Sequence, residues 1–188
     1  MTRTVSFLTV NRDLPKLTAG HDYSLNEVLP DHEHCPFLRR MLGEEKLPLT
    51  NIRVVFHEWP GNNKGEWQAS GKEIHVPLSE FKTRSNEDLA TIFVHELAHV
   101  LLQDPIRPYE NYFESAEELQ GIAWSILYLQ YLGKEDIGNW LQRAYPQMPN
   151  PVTRELLHHP RAFDRDIWDE DFGDCDICHH DIDSSSES

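Results

Sequence analysis

The sequence predicts an α+β fold. Three short strand-like segments rich in β-branched and apolar residues fall between residues 51 and 78, and three helical stretches follow at 85–103, 116–132 and 134–144. Gly and Pro residues mark the breaks between them. The 39% hydrophobic content supplies enough apolar material for the core of a single domain of 188 residues.

Residues 1–50 read as a segment packed on the domain. Val5, Phe7 and Val10 hint at a short strand, 11–22 as loop, and 35–42 as a short helix with Phe37, Leu38, Met41 and Leu42 turned inward and Gly43 at its end. The core is assigned to 51–160. Its clearest strand is 51–57, Asn-Ile-Arg-Val-Val-Phe-His, followed by a loop at 60–65 and a second strand at 66–69. After a turn at Ser70-Gly71-Lys72, residues 73–78 read as a third strand. Pro77 cannot donate to a ladder, so this strand either ends there or lies at a sheet edge, where a peptide would add as a further strand.

The helix at 85–103 is the best marked. Ser85 and Asp88 resemble a capping box, and Glu87 and Asp88 suit the positive end of the helix dipole. Leu89, Ile92, Phe93, Val94, Leu97, Val100 and Leu101 leave few sides for solvent, and Pro105 stops it. The helix at 116–132 closes at Gly133, that at 134–144 carries Ile137, Trp140 and Leu141 on one side, and 153–159 adds one or two turns.

A net charge of −15 argues against direct binding to nucleic-acid phosphates. No apolar run reaches the roughly 18 residues of a membrane span, and the first ten residues hold too short an apolar core for a secretory signal. The three cysteines make no disulfide framework, so a cytoplasmic location is expected. Ten acidic residues against one Arg give 164–188 a charge of −9, leaving −6 for the rest, so 161–188 reads as a solvated, mobile acidic tail.

His95-Glu96-Leu97-Ala98-His99 is an H-E-x-x-H pattern. On a helix His95 and His99 share one face and can grip one zinc ion, and Glu96 lies beside the open position, where it takes a proton from the zinc-activated water. The competing reading is a pair of hydrogen-bonded core histidines. A third ligand is needed, and Glu110, Glu114, Glu117 and Glu118 are the candidates. The apolar stripe of the helix at 116–132 runs through Leu119, Ile122, Ala123, Ile126 and Gln130. Glu118 lies about 100° from its centre, and Glu117 and Glu114 about 140–160°. Glu118 is thus the preferred ligand and Glu117 the alternative.

With Phe93-Val94-His95-Glu96-Leu97-Ala98-His99-Val100-Leu101-Leu102, the strand Lys72-Glu73-Ile74-His75-Val76 and the helix Ala116-Glu117-Glu118-Leu119-Gln120-Gly121-Ile122-Ala123, residues 51–145 resemble the ImmA/IrrE-type family of zincin-like metallopeptidases. They are also similar to the metallopeptidase part of anti-restriction proteins. The family's second motif is Glu, a small residue, Asn or Glu, any residue, an apolar residue, then Ala. Setting Ala123 on its last position puts Glu118 on the ligand Glu. The resemblance implies a minimal zincin-like, gluzincin-like domain, its small mixed sheet packed on the H-E-x-x-H helix and the Glu-bearing helix. It implies zinc held by His95, His99 and Glu118, with Glu96 as general base. It further implies a protein or peptide substrate, for many members a transcriptional repressor. Leu119 and Gln120 depart from the motif, the loop between the two motifs is short, and no DNA-binding domain is evident.

Candidates for stabilising the oxyanion are His57, His75, Tyr109, Tyr112 and His158. Cys175 and Cys178, followed by His179 and His180, have ligand types for a second metal, with His32, His34 and Cys35 as the other half. A full structural site usually pairs two such halves around a folded loop, and a flexible tail with incidental ligands is the favoured reading. The alternative to a peptidase is a zincin scaffold that binds a partner without cutting it, its acidic tail mimicking nucleic acid. Glu96 favours the enzyme, because a pure binder needs no base beside the metal.

Overall fold

The computed structural model describes residues 8–58, 67–102, 116–158 and 160. Val5, Phe7, Pro105, Tyr109, Glu110, Tyr112, Glu114 and the tail with Cys175 and Cys178 lie outside them, as does the side chain of Glu117.

The described chain is α+β. Four strands form one mixed sheet: β1 (Asp22–Ser24), β2 (Arg53–His57), β3 (Gln68–Ser70) and β4 (Glu73–Pro77), in the order β1-β2-β4-β3. The β2–β4 pair is parallel and the outer two pairs are antiparallel. Among the described residues, seven α-helices accompany it: α1 (Leu25–Val28), α2 (Pro36–Leu42), α3 (Leu78–Thr83), α4 (Asn86–Leu102), α5 (Ala116–Tyr131), α6 (Ile137–Ala144) and α7 (Asn150–His158).

The edge reading of 73–77 is corrected. β4 lies inside the sheet, with β3 folded back on it through Gly71-Lys72 so that Ser70 faces Glu73. Pro77 terminates the strand opposite His57 at the end of the parallel ladder, where its missing N–H costs least. β1 and α3 fall in stretches without a sequence signal of their own, whereas α1 opens on a capping box of Ser24 and Glu27, Ser24 N–H donating to Glu27 Oε2 at 2.7 Å. β1 spans three residues and exists by pairing Tyr23 with Val54 across the ladder.

Alternation along β2 and β4 buries Val54, Phe56, Ile74 and Val76, each 0% exposed, in one core with Leu89, Ala90, Phe93, Val94 and Leu97 of α4. In register, Val54 meets Ile74 and Phe56 meets Val76, so one apolar face backs α4. α5 is buried on two sides. Trp124 and Tyr128 join the sheet core, whereas Ile122, Ala123, Ile126 and Leu129 pack with Ile137 and Leu141 of α6 and Leu156 of α7. Gly133 takes φ +74°, the left-handed turn that ends α5. No helix among the described residues is long and apolar enough to cross a membrane.

The N-terminal residues are built into this core. Leu8 N–H donates to Tyr128 Oη at 2.8 Å, and Asn11 N–H to Val28 O at 2.8 Å. The Arg12 guanidinium donates to Phe81 O at 2.9 Å, to Arg84 O, and to Asn86 Oδ1 at 2.8 Å, tying the end of α3 to the start of α4.

His32 is fully buried between two backbone groups. Its Nδ1 lies 2.9 Å from Leu29 O, and Leu49 N–H donates to its Nε2 at 2.9 Å. A carbonyl only accepts and an amide N–H only donates, so the ring is neutral with its proton on Nδ1. Both nitrogens are used, which removes His32 from any metal half-site with Cys35. Replacing the ring strands a buried N–H: His32→Leu is expected to lose about 1–3 kcal/mol of unfolding free energy in urea titration. Unchanged stability would mean that the Leu49 amide finds another acceptor.

Candidate metal centre

α4 begins where the sequence places it. Asp88 N–H donates to Ser85 Oγ at 3.1 Å, closing the Ser side of the cap, and Glu87 and Asp88 occupy the first turn. The sheet-facing side of α4 is apolar and holds it rigidly. This leaves His95 and His99, one turn apart, to face α5.

α5 approaches closely enough for its first turn to meet them. Glu118 Oε2 lies 3.2 Å from His95 Nε2, Glu118 Oε1 lies 3.3 Å from His99 Nε2, and the two Nε2 atoms are 2.9 Å apart. One ligand atom from each of the three residues falls within 4.8 Å of the others. The approach depends on Gly121, one turn beyond Glu118. A Cβ there would stand 2.8 Å from His95 Nε2 and 2.9 Å from Cδ2 and Cε1 of the same ring. Ser125 continues the seam, its Oγ 3.3 Å from Thr91 O on α4.

The triangle fits a small cation. Tetrahedral ligands at the roughly 2.0–2.1 Å typical of zinc stand about 3.3 Å apart. Two imidazole nitrogens and a carboxylate are also the donor types a catalytic zinc site takes. Hydrogen bonding serves the same atoms less well, because a neutral imidazole Nε2 either donates or accepts and here each faces two neighbours at once.

Burial and charge act in opposite directions on the two carboxyl groups. Burial would raise Glu118, but hydrogen bonds from His95 and His99 and their charges outweigh it and hold the carboxyl well below the usual carboxylate range. Glu96, 5% exposed, is pushed up, chiefly by burial and further by the charge of Glu118, against the opposing pull of His95 and His99. Glu118 is therefore held in its ionised form, whereas its surroundings shift Glu96 toward the protonated one.

Of the oxyanion candidates, the sheet excludes two. His57 and His75 alternate with Phe56, Ile74 and Val76 and so lie on the face turned away from α4. There they pair with one another, His57 Nε2 2.6 Å from His75 Nδ1, while His75 Nε2 reaches Glu73 Oε2 at 3.2 Å. His158 is exposed at the end of α7 and is not one of the three converging side chains. One contact escaped the sequence reading. Tyr145, at the C-terminal end of α6, brings its hydroxyl to 3.2 Å from His95 Nδ1. Burial, and then the charges of Glu118 and Glu96, push this phenol up, so it stays protonated. Its signal in sequence is only an aromatic residue before Pro146, too common to single out.

Comparisons with protein-family models, curated proteins and solved structures found no match to this chain.

Gly121→Ala is expected to separate stability from metal binding. Alanine favours the helix by about 1 kcal/mol, yet its methyl displaces the His95 ring. Zinc affinity should fall at least about tenfold, the range for disturbed ligand support, without loss of helicity. Equal affinity in a chelator competition would show that the ring has room to move. For His57, burial first and the charge of His75 second hold the imidazole below its ordinary 6.5, with Glu73 opposing. The unfolded chain then binds more protons than the folded one, so stability falls as pH drops through and below that value. Melting temperature should fall less on acidification from about pH 7 to about pH 5.5 in His57→Gln than in the wild type. Parallel pH profiles would remove the histidine pair as the cause.

Proposed function

We propose that this chain is a zinc-dependent, zincin-like peptidase of the ImmA/IrrE type, acting on a specific, regulatory protein substrate in the cytoplasm. The carrying observation is that the two histidines of the H-E-x-x-H pattern and Glu118, 19 residues beyond His99, bring three ligand atoms within 4.8 Å of one another. A mixed sheet backing the H-E-x-x-H helix, with a second helix supplying the Glu, supports the same reading.

His95, His99 and Glu118 would hold the ion. A zinc ion so held would supply the Lewis acidity to polarise a peptide carbonyl and to make water a nucleophile near neutral pH. Glu96 takes the proton from the attacking water and passes it to the leaving amine. Its burial suits that exchange, since a carboxylate raised above its usual range is a stronger base. Glu118, held ionised by the two imidazoles, keeps its charge throughout.

Elemental analysis should find one zinc per chain in the wild type and in Glu96→Gln, and a large loss in His99→Ala and Glu118→Ala. With a mixed peptide library as substrate, mass spectrometry should detect new N-termini with the wild type and essentially none with Glu96→Gln, a loss of at least about 100-fold for a missing general base. Zinc bound in all variants would move the site elsewhere. Zinc lost as expected but identical cleavage by Glu96→Gln would sink the role of Glu96.

A further inference from the structure

The contact between Tyr145 and His95 joins two parts of the chain that are 50 residues apart. Tyr145 is the residue that caps α6, its N–H donating to Leu141 O at 2.8 Å. Trp140 packs against its ring at 6.1 Å, edge to face, and α6 is itself anchored through Ile137 and Leu141 to α5 and α7. The phenol is thus delivered to the imidazole by a packed layer, with the two rings nearly parallel at 23°.

His95 turns Nε2 toward His99 and Glu118 and Nδ1 toward Tyr145. A neutral imidazole carries one proton. If it sits on Nδ1, it is donated to Tyr145 Oη, and Nε2 keeps the lone pair a metal needs. If it sits on Nε2, the phenol donates to Nδ1 instead, and the ring cannot act as a ligand through Nε2. Metal-binding histidines characteristically give their second N–H to an oxygen acceptor that fixes tautomer and ring orientation. Tyr145 Oη is within reach to be that oxygen.

Building on the peptidase reading above, we propose that Tyr145 is a positioning residue of the metal centre. It accepts the Nδ1 proton of His95, selects the tautomer whose Nε2 is free to coordinate, and makes the α6–α7 layer part of the site's support.

The test uses the full chain and zinc alone, in the wild type, Tyr145→Phe and His99→Ala. Tyr145→Phe keeps the ring and removes only the hydroxyl. Zinc affinity by chelator competition is expected to fall about 10–100-fold, while the melting temperature of the metal-free protein stays the same. Long-range proton–nitrogen correlation spectra of the metal-free protein should show His95 protonated at Nδ1 in the wild type and less uniformly so in Tyr145→Phe. A merely structural tyrosine would lower the melting temperature and leave the tautomer alone, overturning the proposal. So would unchanged affinity in Tyr145→Phe, or an Nε2-protonated His95 in the wild type. These results would leave the zinc site intact as long as His99→Ala still abolishes binding. A wild type that takes up no zinc would overturn the peptidase reading together with this one.

Discussion

Everything distinctive about this molecule depends on how closely α5 packs on α4. A glutamate side chain has short reach, and Glu118 touches both imidazoles only because the seam C-terminal to it is lined by small residues. Gly121 accepts the His95 ring where any Cβ would collide with it. Ser125 hydrogen-bonds across the seam to Thr91 O and back to Gly121 O. Helix axes in globular proteins stand about 8–10 Å apart according to the side chains at the contact, and small side chains set the lower end. Bulkier residues at 121 and 125 would push the carboxylate away from the histidines.

Close packing has an electrostatic cost, and the site shows how it is met. Glu118 is 15% exposed in its side chain and Glu96 is more deeply buried, so two carboxyl groups share a region with little access to water. An isolated buried carboxylate would take up a proton instead. The two imidazoles prevent this for Glu118, whereas for Glu96 burial prevails. Glu118 thus places a negative charge among the three ligand atoms, with Glu96 shifted toward its neutral form beside it. A divalent cation among the three ligand atoms would be a counter-charge to that carboxylate, in keeping with their convergence within 4.8 Å.

The parts of this structure that were legible in the sequence are those governed by neighbours along the chain. The cap at Ser85, the apolar content of α4, the turn at Gly71 and the stop at Gly133 are local, and each lies where local chemistry puts it. So does α2, with Phe37, Leu38, Met41 and Leu42 buried. β1 and α3 are short elements that exist through tertiary contacts: β1 through pairing with β2, and the end of α3 through the carbonyls that Arg12 holds. Composition alone cannot reveal such elements, because a three-residue strand has no periodicity to detect. The position of β4 within the sheet was illegible for the same reason. Nothing within residues 73–77 records that β3 folds back onto it.

The selection of Glu118 is more instructive, because the wheel reached it through a partly mistaken premise. The wheel measures Glu118 from the stripe of Leu119, Ile122, Ala123, Ile126 and Gln130. Ile122, Ala123 and Ile126 in fact pack with α6 and α7, away from the histidines. Glu118 belongs to a second buried face, with Gly121 and Ser125, that meets α4. A helix buried on two sides has no broad solvent stripe to orient a wheel, and its apolar positions then report the larger core rather than the functional one. Chemical content separates the two faces. One is aliphatic; the other carries a carboxylate, a glycine and a serine at positions i, i+3 and i+7, which let another helix approach and give it a charged group to meet. On a helix without a polar face, a row of small residues next to one acidic residue is therefore a better guide to a seam of converging polar groups than the hydrophobic maximum.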